Sequence, residues 1–244
     1  FFDEEIVALG SGITSTMNSP VKTYVENRRL DNIDGFTDNR DIYVDGTLMD
    51  KVGLVNRQFT DPEWVHIQNV GGYYFPNGGS LTLNKTEKEE VNAINFAEMW
   101  LNHGTNPTNK KYAYVMMPGQ TLQETQAYAE NPKIEVLACN NQIHAVRKSS
   151  IGLTGITFWE SGSYGGIAVD SPAALMVGET EDEYIISISD PTHKLQVLTV
   201  TINGTHSLIS ADPEISVSGN AGSTVLTVSL SGDPGKTFTA RLSK

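Results

Sequence analysis

Three consecutive carboxylates stand near the start of the sequence, at Asp3, Glu4 and Glu5. A hard cation such as Ca²⁺ binds several oxygen ligands, some of them carboxylates. In an extended strand Asp3 and Glu5 would lie on one face and Glu4 on the other, so all three converge only if the backbone bends. Two interpretations therefore stay open: a cation site, or a solvated acidic edge that discourages strand pairing.

A fourth carboxylate, Glu160, follows the aromatic pair Phe158-Trp159 and precedes a glycine-rich loop. A carboxylate at a strand end beside such a loop can reach a ligand or an ion. The alternative is an exposed loop glutamate without a ligand, and the spacing alone does not choose between the two.

The five histidines are scattered and lack the spacing of a metal-binding motif. His103 could act as a general base, but no serine or aspartate partner pattern surrounds it. We therefore expect a turn histidine that bonds to the local backbone. The sequence also contains no nucleophile elbow, phosphate-binding loop or dinucleotide loop. We predict no catalytic residue within the chain.

Two further groups of side chains could contact a sugar. Aromatic rings stack on pyranose rings, but aromatic residues on neighbouring strands are more often core, and this group comprises Trp64, Tyr73, Tyr74 and Phe75. Arginine forks onto carboxylates through two parallel hydrogen bonds. We nevertheless interpret the concentrated arginines as surface charges, and these are Arg28, Arg29, Arg40 and Arg57.

The 244-residue chain has a formal net charge of −12 and one cysteine, Cys139. A nucleic-acid binder needs a basic surface, so this charge argues against a nucleic-acid partner. No apolar run is long enough for a membrane span, which argues against a membrane helix. The same charge would repel a polyanionic sugar unless another part of the protein supplies a basic groove.

The elements that must position these residues are strands. Short apolar runs separated by turn residues are typical of an all-β protein. Strict alternation in Glu183–Ser189 and Ser223–Ser229 favours antiparallel strands with one buried face. Asp45-Gly46 and the Asn-Gly-Gly at 77–79 each separate two strand-like runs, which predicts two hairpins.

One short helix is predicted, and it marks a boundary. The sequence Thr121-Leu122-Gln123-Glu124 is a capping box, and Asn131-Pro132 would end the helix near residue 130. We place a domain boundary there, which gives one part over residues 1–132 and a smaller β-sandwich over 133–244. The first residues look like a strand interior, so we expect the chain to be a fragment of a longer protein.

Several stretches resemble polysaccharide lyase family 8. Residues 1–13 resemble the family strand that follows a Lys-Ser-Trp-Phe approach, and Val25-Glu26-Asn27-Arg28 resembles its next step. Residues 103–118 are similar to the family's HGxxPxxxxYAYvllP segment. Residues 137–147 and Phe158-Trp159 resemble its C-terminal domain. The resemblance covers nearly the whole chain in register.

The resemblance implies a fold and an activity. Residues 1–132 would be the C-terminal part of a central antiparallel β-supersandwich, and 133–244 a C-terminal β-sandwich. Family members cleave uronic-acid-containing polysaccharides by β-elimination outside the cell, with an Asn, His and Tyr on an N-terminal α/α toroid. The implied partners are an acidic polysaccharide and that toroid.

The resemblance also bears on the ion and the substrate. The Asp3-Glu4-Glu5 triplet is similar to one that binds structural Ca²⁺ in xanthan-lyase-like members, and Glu160 matches the later glutamate of that site. Residues 85–95 align with a segment that carries a substrate-binding arginine, but here only Lys85 or Lys88 is near. A xanthan-type lyase is favoured. The alternatives are a hyaluronate or chondroitin AC lyase, a non-catalytic carbohydrate-binding module and a scaffold domain.

Overall fold

The computed structural model describes residues 1–29, 40–49, 54–86, 96–220, 222–231 and 235–244. The chain divides into two compact units, Phe1–Pro132 and Lys133–Lys244. All strand pairings within the described residues are antiparallel, and one α-helix accompanies them. The expected all-β class is confirmed.

The first unit contains two antiparallel sheets. Its strands are β1 (Ile6–Ile13), β2 (Pro20–Arg29), β3 (Ile42–Val44), β4 (Thr47–Leu48), β5 (Arg57–Thr60), β6 (Trp64–Ile67), β7 (Gly71–Tyr74), β8 (Ser80–Thr86), β9 (Phe96–Thr105) and β10 (Lys110–Pro118). One sheet has the order β1-β10-β7-β6-β3-β4 and the other β2-β9-β8-β5. Buried side chains from both sheets form one core, among them Val65, Tyr73, Leu81 and Met99.

The helix α1 (Leu122–Glu130) begins and ends where the sequence predicts. The Glu124 amide donates to Thr121 Oγ1 at 3.3 Å, and the Thr121 amide donates to Glu124 Oε2 at 2.8 Å. Thr125 is fully buried, and its Oγ1 lies 3.1 Å from Nδ1 of His66 on β6. The capping box is therefore confirmed. No helix in the described part of the chain is long and apolar enough to cross a membrane.

One of the two predicted hairpins is present. Val44 pairs with Thr47 across Asp45 and Gly46, which have φ angles of 46° and 79°, as a type I′ turn requires. The turn at 77–79 is not a hairpin, because β7 pairs with β6 and β10 whereas β8 pairs with β5 and β9. That segment carries the chain from one sheet to the other. The turn residues correctly predicted that the chain reverses here, but they did not show which strand would pair with which.

The ten-residue strand β9 occupies the segment where a turn was expected. His103 lies on it, and its Nε2 is 2.7 Å from Oγ1 of Thr23 on the neighbouring β2. The expectation of a turn histidine bonded to local backbone is therefore wrong. Gly104, Asn106 and Pro107 suggested a loop, but they follow or end the strand.

The second unit is a sandwich of two antiparallel sheets. Its strands are β11 (Ile134–Cys139), β12 (Ile143–Lys148), β13 (Leu153–Phe158), β14 (Gly162–Tyr164), β15 (Ile167–Val169), β16 (Ala173–Glu179), β17 (Glu183–Ser189), β18 (Val197–Asn203), β19 (Leu208–Ala211), β20 (Ile215–Asn220), β21 (Ser223–Ser229) and β22 (Phe238–Ser243). The sheets have the orders β11-β12-β13-β16-β17-β22-β19 and β14-β15-β18-β21-β20.

Alternation along these strands builds the core of the second unit. Ile186 and Ile188 on β17, and Leu226 and Val228 on β21, are each at most 1% exposed. They belong to one buried cluster with side chains of both sheets. The period-two pattern in the sequence therefore identified the buried face of both strands.

Candidate functional site

A carboxylate, a phenol and a guanidinium meet at one edge of the first unit's core. The register between β2 and β9 shifts between Tyr24 and Glu26, so Glu26 pairs with Met99, a core residue. The Tyr73 hydroxyl donates to Glu26 Oε2 at 2.5 Å, and Arg28 Nη2 lies 3.2 Å from the same oxygen. The bulge thus places a charged pair against a buried tyrosine.

This arrangement positions an arginine side chain and does not provide a general base for proton transfer. Burial, and then the hydrogen bond to Glu26, raise the pKa of Tyr73 well above its ordinary value of 10. A phenol that resists ionisation cannot abstract a proton near neutral pH. The Arg28 side chain is 44% exposed and that of Glu26 is 14% exposed. The pair therefore fixes a partly exposed guanidinium at the end of β2.

The other shifted tyrosines and histidines of this unit are also unsuited to acid–base work. Burial raises the pKa values of Tyr74 and Tyr114. Burial also lowers the pKa values of His66 and His103, which keeps both imidazoles neutral at pH 7. His66 and His103 are 4% and 8% exposed, and each bonds a threonine hydroxyl. We interpret these side chains as structural: they stabilise the fold.

The predicted metal ligands occupy two different units. The backbone bends at Asp3 and Glu4, which are exposed and precede β1, while Glu5 is 1% exposed. Glu160 lies in the second unit, where its Oε1 accepts a hydrogen bond from Gln142 Nε2 at 2.6 Å. Among the residues that the structure describes, no three His, Cys, Asp or Glu side chains form a group that could hold a metal. The calcium site stays a prediction.

The aromatic group singled out in the sequence lies mainly in the core. Trp64, Tyr73 and Phe75 are each at most 5% exposed. Tyr74 is partly exposed and packs edge-on against Tyr128 of α1, with ring centroids 5.7 Å apart. The core interpretation therefore holds for the three buried rings.

The basic residues have diverse surroundings. Arg57 is exposed and lies over the Phe59 ring at 5.4 Å, and Arg29 is exposed at the end of β2. Lys85 is only 3% exposed on β8, so it is no freely exposed substitute for an arginine. Lys88, the other basic residue considered for that role, lies outside the described residues.

Two aromatic sites escaped the sequence reasoning. On the face of β9 opposite the core, Trp100 lies beneath Lys22 Nζ at 4.0 Å, and its Nε1 donates to Asn102 Oδ1 at 2.9 Å. In the second unit, Trp159 is 50% exposed and its ring packs edge-on against His144. The first could have been found from alternation within β9 had that strand been predicted. The second required knowing which face of β13 meets the core.

Comparison with known proteins identifies both units. The model for the super-sandwich domain of polysaccharide lyase family 8 matches residues 1–129, and the model for that family's C-terminal beta-sandwich domain matches residues 135–199. Xanthan lyase of Bacillus sp. (strain GL1) is 34% identical over 98% of this chain and 28% of its own length. Hyaluronate lyase of Thermasporomyces composti is 29% identical over 88% of this chain and 29% of its own length.

A solved structure agrees with these matches. The structure of Paenibacillus xanthan lyase superimposes with a TM-score of 0.85 at 31% identity, covering 99% of this chain and 25% of that one. The chain therefore spans less than a third of the length of these relatives. Because two family models match in order and the first covers more than half of the residues, the chain belongs to polysaccharide lyase family 8.

Proposed function

We propose that this chain is the β portion of an extracellular lyase that cleaves a uronic-acid-containing polysaccharide by β-elimination. The observation that carries the proposal is the ordered match of both family domains, together with 34% identity to a xanthan lyase over 98% of the chain. The side chain of xanthan is the favoured substrate, because identity to the hyaluronate lyase is 29% over a shorter stretch. A hyaluronan or chondroitin substrate is the alternative. The polymers are too large to enter a cell, which supports action outside it.

The chemistry would lie on an α/α toroid outside these residues. β-Elimination needs a base that removes the proton beside the uronate carboxylate and donors that stabilise the resulting charge. Burial raises the pKa values of Tyr73 and Tyr114, and His66 and His103 are enclosed and hydrogen-bonded to threonines. None of these four side chains is suited to that base. This chain would instead form one wall of the substrate cleft and support the toroid.

Lyase activity should therefore depend on residues that this chain lacks. We expect the 244-residue chain alone to produce no unsaturated uronate, measured by ultraviolet absorbance, from xanthan, hyaluronan or chondroitin. A longer form that contains the toroid should produce it, and the polymer that responds identifies the substrate. Heat-denatured longer protein is the control. Product from this chain alone would contradict the placement of the catalytic residues, and no product from the longer form would contradict the lyase assignment.

We also propose that the acidic triplet Asp3, Glu4 and Glu5 includes the ligands of a structural Ca²⁺. Carboxylate oxygens suit this hard cation, and Asp3 and Glu4 are exposed where an ion can reach them. The ion would neutralise part of the −12 charge. No step of the elimination is assigned to it.

Calcium binding should stabilise the chain measurably. An ion at about a hundred times its dissociation constant adds about 2.7 kcal/mol to the free energy of unfolding. We expect Ca²⁺ to raise the melting temperature after chelation by EDTA, and the double variant Asp3→Asn, Glu4→Gln to lose this rise. The matched control changes two exposed acidic residues elsewhere, Glu181→Gln and Asp182→Asn. An equal rise in both variants, or none in the unaltered chain, would contradict the proposal.

A further inference from the structure

Trp159 differs from the other two tryptophans in its exposure. Trp64 and Trp100 are 5% and 4% exposed, whereas Trp159, the residue directly after β13, is 50% exposed. The exposed half of this large side chain contributes no hydrophobic stabilisation to the fold, although its burial would. An exposed indole on a regular strand end therefore suggests a ligand.

The backbone that carries the indole is anchored, and the ring packs against one neighbouring side chain. The Trp159 amide donates to the Gln142 carbonyl at 2.9 Å, which continues the ladder between β12 and β13. The preceding residue, Phe158, is fully buried in the second unit's core and anchors the strand end. The His144 ring meets the indole edge-on, with centroids 5.5 Å apart and planes at 84°. Little side-chain freedom would be lost when a ligand stacks on this ring.

Two residues next to Trp159 carry polar side chains that bond to each other: Gln142, which faces it across the ladder, and Glu160, which follows it in the chain. Gln142 Nε2 donates to Glu160 Oε1 at 2.6 Å. The turn beneath them is fixed, because Asn140 Oδ1 accepts from the amides of Gln142 and Ile143, each at 2.9 Å. Within the described residues, Gln142 Oε1 and Glu160 Oε2 accept no hydrogen bond. An amide oxygen and a carboxylate oxygen thus stay available on the two residues next to Trp159.

A flat aromatic face with a polar border fits a pyranose ring. The C–H face of the sugar packs on the indole, and its equatorial hydroxyls donate to oxygens at the border. The carboxylate of Glu160 and the net charge of −12 would repel a uronate. Burial lowers the pKa of His144, so its imidazole supplies no positive charge at pH 7. The local charge therefore favours a neutral sugar unit.

We propose that Trp159, bordered by Gln142 and Glu160, is a stacking platform for a neutral pyranose unit of a polysaccharide. The proposal rests on the proposed function only in taking a polysaccharide as the ligand. It places on the second unit a sugar contact that is independent of any lyase chemistry. Such a platform would hold the polymer to the protein while other units are cleaved.

The test uses the 244-residue chain and neutral glucose pentasaccharides with β-1,4, β-1,3 or α-1,4 linkages. We expect at least one of them to bind saturably in calorimetry and to protect tryptophan fluorescence from acrylamide quenching. The quenching reports mainly on Trp159, because the other two tryptophans are buried. A hyaluronan hexasaccharide, which carries uronates, should bind more weakly.

Two variants separate stacking from other contacts. Trp159→Ala should weaken binding at least about tenfold, and Gln142→Ala should weaken it by a smaller factor. The matched control is Tyr24→Ala, since Tyr24 is an aromatic residue of similar exposure, 49%, in the first unit. Circular dichroism checks that each variant is folded, and Gln142→Ala alone tests the site if Trp159→Ala is not.

Three results would overturn the proposal: no saturable binding of any neutral pentasaccharide, unchanged binding by both platform variants, or tighter binding of the uronate hexasaccharide. The outcome is separable from that of the lyase assay. Binding without elimination by the longer protein contradicts only the proposed function. Elimination without binding at Trp159 contradicts only the platform.

Discussion

Replacement of Asp190 with alanine is expected to lower the free energy of unfolding of the second unit by about 4 kcal/mol. Asp190 is 6% exposed and is the first residue of the segment that leads from β17 to β18. Its Oδ1 accepts from the amide and hydroxyl of Thr192, each at 2.7 Å. Its Oδ2 accepts from the amides of Lys194 and Leu195, each at 2.8 Å. The alanine variant leaves these donors without their acceptor at a crossing between two sheets.

The same carboxylate predicts a dependence on pH. Burial opposes its ionisation, but hydrogen bonds from Leu195, Thr192 and Lys194 prevail and lower the pKa of Asp190 from 3.8 to about 2. A group whose pKa is lower in the folded state stabilises the protein above its unfolded pKa. That contribution, about 2 kcal/mol, is lost as the pH falls from about 4 to about 2. The difference between the unaltered chain and the alanine variant should therefore shrink over this range.

Urea denaturation followed by circular dichroism would measure the change, and amide hydrogen exchange at residues 192–195 would localise it. Asp190→Asn should lower the free energy of unfolding by about half as much as Asp190→Ala, since one acceptor oxygen remains. The control is Asp182→Ala, because Asp182 is an exposed aspartate at the turn before β17. Equal stability of the Asp190 and Asp182 alanine variants would show that the four hydrogen bonds contribute nothing net.

The strands that the sequence predicted well are those in which one face is apolar and the other is not. In β17, Ile186 and Ile188 alternate with serines, and the pattern identified both the strand and its buried side. In β9, Met99 faces the core while Trp100 is covered on the other face, so apolar residues are consecutive and the alternation disappears. Periodicity reports burial on one face, and a strand covered on both faces gives no such signal.

Side-chain contacts also differ in how well the sequence predicts them. Thr121 and Glu124 are close in sequence, so the capping box could be predicted from four residues. The contact between Glu26 and Tyr73 depends on a bulge in β2 and on two sheets facing each other. Neither feature has a local sequence signature. Local rules predict local contacts, and contacts between sheets need the topology.

Gly71 is the second residue whose replacement we expect to lower the stability of the protein strongly. Gly71→Ala should lower the free energy of unfolding of the first unit by about 4 kcal/mol. Gly71 has a φ of +141°, which side-chain-bearing residues rarely adopt, and an added Cβ would lie 2.3 Å from the Met117 carbonyl oxygen. That oxygen belongs to the backbone of β10, the strand paired with β7, so it cannot rotate away as a side chain would.

Gly119→Ala is the matched variant that separates the two causes. Gly119 also has a positive φ, +76°, but an added Cβ would meet nothing within 4 Å. Gly119→Ala should therefore lower the free energy of unfolding only by the cost of placing alanine in a left-handed backbone conformation, about 1 kcal/mol. Denaturation monitored by hydrogen exchange in β7 and β10 would compare the two. If both alanine variants lose the same stability, backbone conformation alone accounts for the glycine. If Gly71→Ala loses several times more, the close approach of β10 to β7 is what requires a residue without a side chain.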